Sequence, residues 1–129
     1  MTDPAAVRRE VLGDEHVDRS VAAATEFSAP WQEFVTDHAW GAVWTRPGLD
    51  RRTRSMLTLA LLAGLGHQHE LALHVRAAVR NGVTAAEIRE VLMHTAVYAG
   101  VPAANTAFGI AQQVLADLGE PSAVRDVRE

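Results

Sequence analysis

Apolar positions recur along this chain at intervals of three and four, with no sustained alternation and no β-branched runs, so the pattern predicts helices throughout. Asp3-Pro4 opens a first helix, with proline at a position that needs no amide hydrogen, and Gly13 closes it. A second helix is expected from Glu15 to Phe27. Pro30 opens a third over Trp31 to Trp44, with Trp31, Phe34, Val35, Ala39 and Ala42 as its apolar positions. Arg46-Pro47-Gly48 breaks the chain. Asp50 is placed to cap a helix running to Leu65 and ended by Gly66. The next helix spans His67 to Arg80 and stops at Asn81-Gly82. Thr84 and Glu87 have capping-box spacing ahead of a helix that ends at Gly100. Pro102 begins the last long helix, to Leu118, and the polar stretch 118–129 is expected to fray. Short connections join about six helices into one all-α domain over 1–129.

The segment Arg51 to Leu65 departs from ordinary amphipathicity. Met56, Leu57, Leu59, Ala60, Leu61, Leu62, Ala63 and Leu65 leave it almost no polar face, which predicts a buried helix. A chain of 129 residues has little material to surround one helix completely. Sharing the burial between subunits resolves this, and a homo-oligomer is expected. Trp31, Trp40 and Trp44 suit either a core or such an interface.

Composition then removes whole classes of function. The chain has no cysteine, which excludes disulfides, thiolate metal sites and cysteine nucleophiles. All 12 basic residues are arginine, so there is no lysine for Schiff-base chemistry. The net charge of −4 and pI near 5.8 argue against nucleic acid as a partner. No apolar run is long enough to span a membrane. The N-terminus lacks the apolar stretch of a secretory signal. A soluble cytoplasmic protein is expected.

Two clusters can carry chemistry. His67, Glu70 and His74 are spaced three and four apart, which puts two imidazoles and a carboxylate on one helical face. Leu71 and Ala78 flank that face, so it is expected to point inward or into a cleft. Three readings fit: a hydrogen-bonded pair at a helix contact, part of a metal site, or general acid–base work. The second cluster, Arg46, Arg51, Arg52 and Arg54, lies on a loop that turns into a helix N-terminus. Positive charge there opposes the helix dipole, and a bound carboxylate or phosphate would relieve the conflict. A solvated surface turn is the plainer alternative. His94 reads as a histidine satisfied at a helix contact, and Tyr98 to Asn105 as a joint between helices.

Taken together, WxRPGLDxRTRS from Trp44, ELxLHxRAAxxNGVT from Glu70 and AxYxGVPAAN from Ala96 resemble the carboxymuconolactone decarboxylase family, with the likeness covering about residues 8–117. The resemblance implies an all-α fold of the alkylhydroperoxidase D-like type, assembled as trimers or hexamers. It implies cofactor-free, metal-free decarboxylation of 4-carboxymuconolactone to 3-oxoadipate enol-lactone in protocatechuate catabolism, on a small dicarboxylate lactone. Peroxidase relatives carry a CxxC pair where this chain has His67 and Glu70, so thiol peroxidase activity is excluded. Glu70 and His74 are the expected catalytic residues, and Arg46, Arg51, Arg54 and His67 the expected substrate-binding ones. The alternatives are a related decarboxylase or isomerase on another carboxylated lactone, or a non-catalytic oligomeric binder of small anions.

Overall fold

The computed structural model describes residues 3–124, whose regular structure is all helical with no strand among them. They fall into two compact units divided between Arg54 and Ser55. In the first unit, α1 (Pro4–Leu12) starts where Asp3 accepts a hydrogen bond from the Ala5 amide. Gly13, at φ 91°, separates it from α2 (Asp14–Ala23). That helix ends four residues short of the expected Phe27. Thr25 and Ser28 exchange side-chain-to-amide hydrogen bonds of 2.8 and 3.2 Å, which take backbone donors away from continued helix.

The expected helix over 31–44 is α3 (Ala29–Val35) running into a π-helical turn, Thr36–Gly41. The wider turn brings Trp40 into a small core with Val7 and Val11. Trp44 packs on it with its ring 5.2 Å from that of Trp40. A side chain at Gly41 would meet the Pro4 ring at 3.0 Å, so glycine lets the start of α1 lie against this turn. Trp31 is exposed, stacked on Phe34 at 5.7 Å. Of the three tryptophans, one therefore belongs fully to a core.

The second unit holds most of α4 (Arg51–Leu65) together with α5 (Gln68–Arg80), α6 (Ala85–Ala99) and α7 (Val101–Asp117). One contiguous core draws Leu59 and Ala63 from α4, Leu71, Val75 and Ala78 from α5, Ile88 and Leu92 from α6, and Ala107, Ala111, Val114 and Leu115 from α7. Ser55 is buried in this unit, and its hydroxyl accepts a 3.0 Å hydrogen bond from Asn81 at the end of α5. The stretch after 118 was expected to fray. Instead Pro121–Ala123 forms a 3-10 turn, and Ala123 packs against the core. The remainder of that expectation, 125–129, lies outside the described residues.

The capping box at Thr84 is complete: its hydroxyl accepts from the Glu87 amide at 3.1 Å, and the Glu87 carboxylate accepts from the Thr84 amide at 3.0 Å. Thr84→Ala is expected to cost about 1 kcal/mol. Urea denaturation checks this, and an unchanged midpoint would mean that the cap carries no weight.

The nearly all-apolar α4 is not enclosed by the described residues. Leu59 and Ala63 are buried, whereas Leu57, Leu61 and Leu65 remain 48%, 61% and 68% exposed. Met93, Val97, Tyr98 and Val101 are exposed as well. No helix of the described residues is long and apolar enough to cross a membrane.

Candidate active site

Helix α5 presents the first cluster. His67 is the residue before the helix, with φ −84° and ψ 77°, and its side chain makes no capping bond. It is tied in by backbone bonds to Leu62 and Leu71, each 2.9 Å. Glu70 lies in the first turn, where a carboxylate favourably faces the free amides. His74 follows one turn later. Leu71, Val75 and Ala78 anchor the other side of the helix in the core, which fixes where the two polar side chains stand.

Of the two orientations expected for the cluster, inward or into a cleft, the inward one does not hold. Glu70 and His67 are exposed and His74 is half-buried. The pattern misled because Leu71 is next to Glu70 in sequence yet about 100° around the helix from it. Among the described residues no three histidine or carboxylate side chains converge as a metal cluster.

The arginine loop is organised by its own contacts. Asp50 accepts a 2.7 Å hydrogen bond from the Thr53 amide and caps α4. Hydrogen bonds from the Thr53 side chain and backbone hold the Asp50 carboxyl below its ordinary range. That contribution is present at neutral pH and disappears as the pH falls through the lowered value. Arg51 pairs with Glu10 at 2.6 Å. Together these two carboxylates ease the conflict between the arginines and the helix dipole, so the loop does not require an outside anion. Arg54 donates to the Arg46 carbonyl at 3.1 Å and holds the loop in place. The Arg46 side chain is exposed and makes no hydrogen bond or ion pair among the described residues. Among the described residues, Arg46 is thus the loop arginine proposed from sequence whose side chain has no partner and is open to a ligand. Arg51 would have to leave Glu10.

A groove of about 450 Å3 between α4 and α6 was not foreseen. Leu61, Gly64 and Leu65 form one wall, and His94, Tyr98 and Ala99 the other. A side chain on Gly64 would stand 3.3 Å from the Ala99 methyl, so the helices approach closely there. His94 is exposed, with its ring 5.0 Å from that of Tyr98, rather than satisfied at a helix contact. The signal was present as a His/Tyr pair at i, i+4. It carried weight only once α4 was seen to leave Leu61 and Leu65 uncovered.

The model of the carboxymuconolactone decarboxylase family matches residues 29–113. The chain belongs to this family. It is 49% identical over 113 residues to a 4-carboxymuconolactone decarboxylase of Acinetobacter baylyi, covering 88% of this chain and 84% of that protein. It is also 49% identical over 112 residues to a nitrosuccinic acid decarboxylase of Metarhizium robertsii, covering 87% and 78%. A 4-carboxymuconolactone decarboxylase of Pseudomonas putida matches at 51% over 35 residues, 27% of this chain and 73% of that protein. The family membership expected from the three motifs is thereby established. The all-helical fold agrees with it.

Proposed function

We propose that the chain is a cofactor-independent carboxy-lyase that converts 4-carboxymuconolactone to 3-oxoadipate enol-lactone and CO2 in protocatechuate catabolism, in the cytoplasm and as a homo-oligomeric trimer or hexamer. The 49% identity over 88% of the chain to the Acinetobacter enzyme carries this reading. The nitrosuccinic acid relative is equally similar, and its name shares the loss of CO2.

The lactone can serve as its own electron sink. Breaking the bond from the ring carbon to its carboxylate releases CO2 and sends the electron pair through the ring double bond to the lactone carbonyl. A furan-like oxyanion results. A proton added at the carbon beside the carbonyl restores that carbonyl and gives the enol-lactone. The protein must hold the acetate carboxylate, stabilise the oxyanion and supply one proton. It must not bind the departing carboxylate so strongly that the starting state is favoured.

Arg46 holds the acetate carboxylate, with Arg54 fixing the Arg46 backbone; His67, and Arg51 once it leaves Glu10, are the further carboxylate ligands. His74 donates to the oxyanion or delivers the proton. Glu70 orients His74 or shares that proton.

Generating 4-carboxymuconolactone in situ, with chelator present, and following CO2 and enol-lactone tests the reading. Rapid turnover unaffected by chelator is the expected result. Turnover of nitrosuccinic acid with none of the lactone would replace the substrate while keeping the reaction class. An intact protein that turns over neither would remove the lyase reading in favour of an anion binder. Arg46→Gln is expected to raise KM for the lactone about tenfold, with a smaller change in kcat, because one charge-assisted contact to a non-reacting carboxylate is lost. An unchanged KM would remove Arg46 from substrate binding.

A further inference from the structure

A cavity of about 230 Å3 lies between α6, α7 and the Pro121–Ala123 turn, lined by none of the residues given a role above. Its floor is apolar and belongs to the core: Ile88 and Leu92 are 1% exposed, Ala111 3% and Leu115 7%. Phe108 packs on the same core and forms a wall. Arg89, Gln112 and Ser122 supply the polar part of the lining. The Ser122 hydroxyl is used locally, donating to Glu120 at 3.3 Å. Arg89 and Gln112 make no hydrogen bond or ion pair among the described residues. Arg9, Arg19, Arg51 and Arg76 each have a carboxylate partner. Arg89 has Ala85 four residues before it and Leu92 and Met93 three and four after, so no carboxylate of its own helix stands a turn away.

We propose that this cavity is a second ligand site, distinct from the reaction, for a small monocarboxylate with a flat apolar ring. The guanidinium of Arg89 takes the carboxylate through its two-pronged donor edge, and the Gln112 amide supplies a further donor. The ring rests on the Leu92–Ala111–Leu115 floor beside Phe108. The volume lies below the roughly 300–1,000 Å3 of drug-sized sites, which limits the occupant to about one ring. A second carboxylate at the far end of the ring would be pressed against the apolar floor without a cation, which is costly. The site therefore discriminates against dicarboxylates, including the dicarboxylate lactone proposed as substrate. This inference rests on the cavity alone and stands or falls apart from the lyase reading.

Calorimetric titration of the full chain with benzoate tests it, with benzamide as the uncharged analogue and terephthalate as the doubly charged one. One benzoate is expected per chain, with benzamide and terephthalate at least about tenfold weaker. Arg89→Gln, at an exposed position, is expected to weaken benzoate about tenfold or more and to leave lactone turnover within about twofold. Ala111→Leu fills the floor and is expected to abolish binding; should it fail to fold, Arg89→Gln decides alone. Absence of benzoate binding at millimolar concentrations overturns the proposal. So does binding that Arg89→Gln leaves unchanged, or terephthalate binding as tightly as benzoate. A loss of turnover in Arg89→Gln parallel to the loss of benzoate affinity would place Arg89 in the reaction itself and likewise overturn a separate site.

Discussion

His74→Gln is expected to lower kcat for the lactone about a hundredfold with the fold and the proposed assembly unchanged. A positioned general acid or base typically contributes about a hundredfold or more to the rate, and that contribution is what the variant loses. Glutamine keeps a hydrogen-bond donor and much of the side chain's length but cannot exchange a proton near neutral pH. The substitution therefore separates proton delivery from simple hydrogen bonding. Glu70→Gln should slow turnover by a comparable factor if the carboxylate orients or charges the imidazole. Glu70 is exposed and His74 half-buried, while Leu71 and Val75 hold the helix, so neither change removes core packing. Steady-state kinetics beside a thermal melt checks this. Near-normal kcat in both variants would take α5 out of the chemistry. A matched fall in melting temperature would mean that packing, rather than proton transfer, had been disturbed.

The paired substitution Leu61→Glu and Leu65→Glu is expected to convert the proposed assembly into folded monomers. Both side chains lie on the side of α4 that the chain leaves open, and Leu57 shares that exposure. Full burial of a leucine contributes roughly 2 kcal/mol. Replacing it by a carboxylate removes that term and adds the desolvation of a charge, worth several kcal/mol when unpaired. In the proposed trimer or hexamer the effect would repeat at each interface. The buried residues of the same helix, Leu59 and Ala63, are untouched, so the monomer should keep its helicity. Sedimentation equilibrium with circular dichroism reads both quantities. An unchanged assembly mass would show that this face is not where copies meet, and a monomeric parent protein would end the oligomer reading altogether.

Much of the helical order was legible because it depends on neighbours in sequence. Gly13, Gly66 and Gly100 end or separate helices with positive φ; Asp50 and Thr84 cap where their spacing said they would. Boundaries moved where side chains competed for the backbone, as Thr25 and Ser28 do, or where a π-helical turn inserted a residue ahead of Trp40. Neither event has a signature in hydrophobic period.

The candidate site was legible only in part. Residue type and spacing were enough to single out Glu70, His74 and the arginine loop, because a helix fixes which side chains share a face. The motifs were enough for the family, because they join those residues in one order. What each side chain meets was decided by the tertiary structure. It paired Arg51 with Glu10 and left Arg46 open. It set Glu70 in solvent, uncovered Leu61 and Leu65, and lined a groove with His94 and Tyr98. Helix periodicity is a local property of the backbone and can be read along the chain. Burial, ion pairing and cavities depend on which distant segment lies opposite, and only packing settles that.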